Sequence, residues 1–309
     1  MRKVFAAIVL LGGTGLGMLM AHASYQQEQR FAEKMEERLT LQRRREAWES
    51  LKRELWSDIR NFHGEAGVLV EDLRTGWKAG HQPAHPFPAA SVVKVAILAA
   101  CFGAVQQGRM DLSQTVTLRG KDKVLGSGEL KAVPNGTVFT VEQLMRLMIT
   151  QSDNTAANLL VDLLGFDDLN RSFERMGLKQ TRLSRKMMDF ASRRMGVENT
   201  TTAEDMALVL RKLYHRELVS PEVSERCLAL LKRQAIHDRI PAGLPPEAEV
   251  ANKTGLERGV CHDLGIVFAP QGDFLICVLT RHHHKNSRPA KRFIAQLAQR
   301  VYHYTEAQR

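Results

Sequence analysis

A chain of 309 residues with 44% hydrophobic and 25% charged residues can bury a real core, which excludes a wholly disordered polymer. The formal charge of +10 points to anionic surroundings. Basic and aromatic residues never interleave as they do in nucleic-acid modules, so no nucleic-acid partner is expected.

At the N-terminus, Arg2 and Lys3 precede an uncharged run from Val4 to Met20, and Ala21-His22-Ala23 offers small residues at both ends of a cleavage site. This layout predicts a signal peptide over 1–23, a mature chain beginning at Ser24, and export to the periplasm or the exterior. Left uncleaved, the same run would anchor the chain in a membrane, although Gly12, Gly13, Gly15 and Gly17 weaken it as a permanent helix. Residues 24–45 read as a charged helical spacer with Phe31, Met35 and Leu39 at helical spacing. A domain over 46–309 follows. It opens with a docked helix marked by Trp48, Leu51, Leu55 and Ile59.

Two short strands, "GVLVEDL" and "GWKAGHQ", flank a turn at Arg74-Thr75-Gly76, and Ser91 to Gln107 reads as one buried helix, apolar nearly all round. From Leu112 to about Leu231 the patterns are helical, with no convincing strand ladder. The helices expected there are Val141–Gln151, Thr155–Leu164, Phe166–Met176, Ala203–Arg216 and Pro221–Gln234. Strand character returns at "EVANKTG", "HDLGIVFAP" and "DFLICVLT", and a last helix covers about Pro289 to Tyr304. Strands at both chain ends around a run of helices predict an α+β fold: one antiparallel sheet flanked by helices, with an all-helical lobe inserted. The late strands form a hairpin about Gln271-Gly272, which sets Cys277 opposite Ile266. Cys261 and Cys277 are therefore not expected to bridge, and with Cys101 and Cys227 they read as buried thiols.

Three short patterns carry chemistry. "PAASVVKVAIL" sets Ser91 three residues before Lys94, Ser152-Asp153-Asn154 ends a helix, and Lys253-Thr254-Gly255 lies on the first late strand. Alone, Ser-x-x-Lys reads as a helix start with Ser91 as N-cap and Lys94 in solvent. Together and in order, the three define a serine nucleophile with a lysine base. Ser91 and Lys94 share one helix face, and burial of Lys94 lowers its pKa until a neutral amine is accessible. A helix-start position also offers the Ser91 backbone N–H to a developing oxyanion.

In these residues the chain resembles a class A beta-lactamase, or the wider penicillin-recognising serine hydrolases. The likeness runs from about Glu46 onward and extends to "SDNTAANLL", "MGL…TRLSR" and "NTTTAEDMALVLRKL". It implies an acyl-enzyme on Ser91, proton relay by Ser152, and a second oxyanion donor in the N–H of Leu256. It further implies that Asn154 holds the substrate's amide side chain, that Lys253 and Thr254 bind its carboxylate, and that Gly255 lets it lie along the strand. The implied substrates are beta-lactams or cell-wall peptides, taken by a monomer with no cofactor.

The resemblance fails in one place. The omega-loop glutamate that positions the deacylating water in class A enzymes falls on Met187, and the asparagine four residues later falls on Ala191. In "RKMMDFASRRMGVEN" the carboxylates are Asp189 and Glu198, so Asp189 is the alternative water base. The aspartate that pairs with the loop arginine, here Arg185, is replaced by Asn199, so that ion pair is expected to be missing, in a loop about one residue short. Acylation without efficient release follows, either in a hydrolase or in a penicillin-binding or peptidase module. No metal is expected. His282-His283-His284 sits in a basic run with Arg281 and Lys285, and His262-Asp263 reads as a structural pair.

Overall fold

The computed structural model describes residues 2–283 and 285–307; the side chains of 2–19, 21 and 23 fall outside the described set, as does His284. Apart from the helical backbone of 2–23 and the side chains of Met20 and His22, the leader expected over 1–23 thus lies outside the described residues. Among the residues searched, no helix is long and apolar enough to cross a membrane. The chain divides into two compact units, Met1–Ser50 and Leu51–Arg309. Helix α1 (Arg2–Arg60) supplies the first unit, and its last residues, from Leu51, belong to the second. In the first unit Phe31, Met35 and Leu39 are exposed.

In the second unit Leu51, Leu55 and Ile59 are buried, and Asp58 of the same turn accepts from Gln296 and Arg300 near the C-terminus. The sheet is made of β1 (Glu65–Asp72), β2 (Lys78–His81) and three strands from much later in the chain, β7 (Glu249–Glu257), β8 (Val260–Phe268) and β9 (Phe274–Arg281). Their order is β2-β1-β9-β8-β7 with every pair antiparallel, so strands from both ends of the domain close one sheet, as expected.

Between β2 and β7 lie β3 (Phe87–Pro88), α2 (Lys94–Gln106), β4 (Thr115–Thr117), β5 (Val138–Thr140), α3 (Val141–Thr150), α4 (Asn154–Leu164), α5 (Phe166–Arg175), α6 (Phe190–Arg194), β6 (Thr200–Thr201), α7 (Ala203–Tyr214) and α8 (Pro221–Leu231); α9 (Arg288–Glu306) closes the chain. The helices fall close to where the periodicity put them, and four of those in the lobe begin on a legible cap. Thr140 and Gln143 form a capping box, Asp153 caps α4, Thr202 caps α7, and Ser220 followed by Pro221 opens α8. Two ribbons, β3–β6 and β4–β5, were not foreseen in the helical section; pairings of two or three residues are too short to show a period.

Helix α2 is buried along most of its length and packs against α3, α4, α5 and α8. A helix apolar all round belongs in the centre of a lobe. All four cysteines are buried and unbridged. The late hairpin needs a correction. Cys277 stands opposite Leu264, and Ile266 opposite Leu275. Gly272 N–H closes on Ala269 O at 3.0 Å and Asp273 accepts from Ala269 N–H at 3.1 Å, which centres the turn earlier than Gln271-Gly272.

Candidate active site

Ser91 lies in a 3-10 turn, Ala90–Val93, that leads straight into α2, and it caps nothing through its side chain. The helix-cap reading of Ser91 is thereby excluded. Ala90, just before it, has φ of +43°, a left-handed conformation that costs a non-glycine residue about 1 kcal/mol or more. Strand β7 packs on this turn, and a Cβ at Gly255 would stand 3.2 Å from Val92 and 3.3 Å from Ala90. Gly255 therefore lets the Lys253-Thr254-Gly255 strand approach the Ser91 turn closely.

Lys94, the first residue of α2, is 0% exposed. Its Nζ donates to the Ser152 carbonyl at 2.7 Å, to Asn154 Oδ1 at 2.8 Å, and at 3.4 Å to Ser152 Oγ. Those three acceptors match the three donors of an ammonium, and none of them belongs to Ser91. Burial brings the Lys94 pKa down from 10.5 to about 7, against the pull of Asp153 and Glu257, which favour the charge. Lys253 is also fully buried, and its Nζ donates to Ser152 Oγ at 2.9 Å and to the Thr254 carbonyl at 2.8 Å. Burial, then repulsion from Lys94, holds its pKa well below the ordinary lysine value. The Ser152 hydroxyl oxygen thus accepts from both lysines, which leaves its own proton free to move.

Asp153 makes no hydrogen bond to Lys94 or Lys253 among the described residues and acts on Lys94 only through its charge. Its carboxylate caps α4 through Ala156 N–H at 2.8 Å and accepts from Leu130 N–H at 2.9 Å. Gly128, with φ of +102°, passes so close that a Cβ would sit 2.1 Å from Asp153 Oδ2. Gly128→Ala is expected to cost about 1–3 kcal/mol, read as a lower thermal midpoint; an unchanged midpoint refutes this packing account.

On the loop between α5 and β6, Met187 is 5% exposed. Its N–H donates to Asn158 Oδ1 at 2.7 Å, and Asn158 Nδ2 donates back to the Met187 carbonyl at 3.1 Å. Asp189 caps α6, accepting from the Ser192 N–H and hydroxyl, and these bonds hold its carboxyl below the usual range. The ion pair expected to be missing is present in another form. Buried Arg185 meets Glu198 at 2.6 Å and Glu257 of β7 at 3.5 Å, while Arg193 meets Glu198 at 2.8 Å and Glu257 at 2.7 Å. Asn199 holds the Ser184 and Arg185 backbones instead of the guanidinium. Glutamate reaches farther than aspartate, so the neighbouring Glu198 takes over the charge.

His262 and Asp263 are not a pair. Neighbours on a strand face opposite sides of the sheet. His262 bonds to the Pro88 carbonyl at 2.8 Å and the Thr280 N–H at 3.0 Å, and burial lowers its pKa to about 4. Asp263 accepts from Asn252 at 3.0 Å and from Ile240 N–H at 3.0 Å. Its pKa is pushed up to about 6 by burial, against the pull of Arg239. Arg239, only 2% exposed, was missed by sequence reasoning. It donates to Cys261 Sγ at 3.3 Å, and its charge reaches Lys253. No motif surrounds it, and only folding brings its loop beside β7 and β8.

A family model described as "Beta-lactamase enzyme family" matches residues 49–305. An extended-spectrum beta-lactamase, PER-1 of Pseudomonas aeruginosa, is 29% identical over 240 residues, covering 72% of this chain and 76% of its own. Among solved structures, PBP-A superposes with a TM-score of 0.77 at 30% identity, covering 84% of this chain and 96% of its own. A mutant of PBP-A is known as an acyl-enzyme complex with penicillin G. A beta-lactamase from Sphaerobacter thermophilus superposes with a TM-score of 0.76 at 29% identity, covering 84% of this chain and 98% of its own.

Proposed function

The chain belongs to the beta-lactamase enzyme family, and on that footing we propose that it is a serine hydrolase whose Ser91 opens beta-lactams through an acyl-enzyme that is released slowly. The observation that carries the reading is the convergence of Lys94 and Lys253 on the Ser152 hydroxyl, which unites three motifs far apart in the chain. Ser91 Oγ attacks the lactam carbonyl as Lys94, in its neutral form, takes the hydroxyl proton. The N–H groups of Ser91 and Leu256 receive the oxyanion. The ring C–N bond then breaks, and Ser152 passes a proton to the leaving nitrogen. Lys253 and Thr254 receive the substrate carboxylate, with Arg239 adding positive potential nearby. Asn154 takes the acyl amide, exchanging its bond to Lys94 for one to substrate. The machinery lies within one chain, so a monomer suffices.

Met187 favours a second reading, a penicillin-binding module or cell-wall peptide carboxypeptidase or transpeptidase that acylates and turns over poorly. A thioether cannot activate water. The capping bonds of Asp189 make its carboxylate a weak substitute base. Intact mass followed in time after mixing with penicillin G tests the proposal. A one-equivalent adduct that peptide mapping locates on Ser91, persisting well beyond its formation, is expected. An adduct on any other residue, or none, overturns it. Export is proposed as well, and N-terminal sequencing of the exported protein should begin at Ser24; a sequence beginning at Met1 would mean an anchor.

A further inference from the structure

The basic run after β9 is not absorbed by this chemistry. With the β7–β8 turn and α6 it lines a cavity of about 580 Å³ whose charged walls are Arg193, Arg258, Arg281 and Lys285, with His283 beside them. Neither Asp nor Glu lines it. Arg193 is already neutralised by Glu198 and Glu257, and Arg281 shares Glu65 with His85. Arg258, His283 and Lys285 are exposed, and no ion pair or hydrogen bond engages their side chains among the described residues. The cations come from three separate segments, so the fold itself gathers like charges into one concavity. Gathering them costs repulsion that a solvated, spread-out loop would avoid. Helix α9 adds to the field. Ser287 and Asn286 also line the cavity, Ser287 caps α9 without a side-chain hydrogen bond, and the first turn of this 19-residue helix holds no acidic residue.

We propose that this cavity binds a phosphate-type anion, a site separate from the catalytic serine. Two cations without carboxylate partners call for at least two negative charges on one compact group, which phosphate esters and pyrophosphate carry and a single carboxylate does not. Arg258 offers a planar fork to two oxygens, and Lys285 offers a point charge. The volume accommodates more than one phosphate group.

Titration calorimetry of the whole chain with inorganic pyrophosphate at moderate salt tests the proposal. One saturable site is expected, weakened about tenfold by Lys285→Ala alone and further by Arg258→Ala with Lys285→Ala. The rate of acylation by penicillin G and the thermal midpoint should stay as in the parent. Arg74→Ala with Arg233→Ala removes the same charge elsewhere and should leave binding intact. The absence of saturable binding overturns the proposal. So does equal weakening by the control pair, which would mean general attraction to a basic chain. A parallel arm uses phosphatidylglycerol vesicles. Vesicle binding lost with Arg258 and Lys285 assigns a lipid headgroup as the source, whereas pyrophosphate binding without vesicle binding assigns a soluble phosphate.

Discussion

Met187→Glu combined with Ala191→Asn should speed hydrolysis of the penicilloyl-enzyme by roughly 10²–10⁴-fold while changing acylation only a few-fold. The position is already prepared for a base. Asn158 grips the Met187 backbone from both sides, so a new side chain at that position inherits a fixed origin. The loop is firm without the expected aspartate, because Arg185, Arg193, Glu198 and Glu257 form a closed ring of ion pairs. Met187 itself is packed into the apolar core, so a carboxyl there loses solvation and its pKa rises. Release in the double variant should therefore increase with pH, as that carboxyl ionises. Stopped-flow mixing with penicillin, resolving acylation from release, measures both steps. The account fails if the parent already releases as fast as it acylates, or if the double variant releases no faster.

The second large effect concerns Lys94. Lys94→Met should slow acylation by roughly 10²–10⁴-fold, the usual worth of a general base. In the parent, acylation should rise with pH through about 7 and level off above it, since only the neutral amine can take the Ser91 proton. Stability carries the same signature. An unfolded lysine keeps its proton up to about 10.5, whereas native Lys94 gives it up above about 7. Between those values the unfolded state binds more protons, so native stability should climb as pH rises; below 7 this contribution is flat. Across the window the gain attributable to Lys94 is about 5 kcal/mol at most, at roughly 1.4 kcal/mol per pH unit. Denaturant titrations of parent and Lys94→Met at several pH values isolate it. Identical slopes in the two proteins would mean that Lys94 is charged in the native site throughout.

The sequence by itself determined the scaffold and the three patterns on which the proposed chemistry rests. Ser91-x-x-Lys94, Ser152-Asp153-Asn154 and Lys253-Thr254-Gly255 are local patterns, and each stands on an element whose periodicity or cap can be read within a dozen residues. The loss of the omega-loop glutamate was equally legible, because it depends on counting from Arg185. Tertiary structure alone decided the rest. Lys94 rests on Ser152 and Asn154, about sixty residues away, and not on Ser91 within its own turn. Glu257 lies 72 residues from Arg185 in the chain, and Arg239 lies 22 from Cys261, distances over which no sequence period links partners. The turn hydrogen bonds of Asp273 and Gly272 moved the register of β8 and β9, and strand alternation separated His262 from Asp263. Local propensities act over a few residues. A buried charge, by contrast, takes whichever partner the packed fold brings within about 3 Å, because in a low-dielectric interior an unpaired charge costs several kcal/mol.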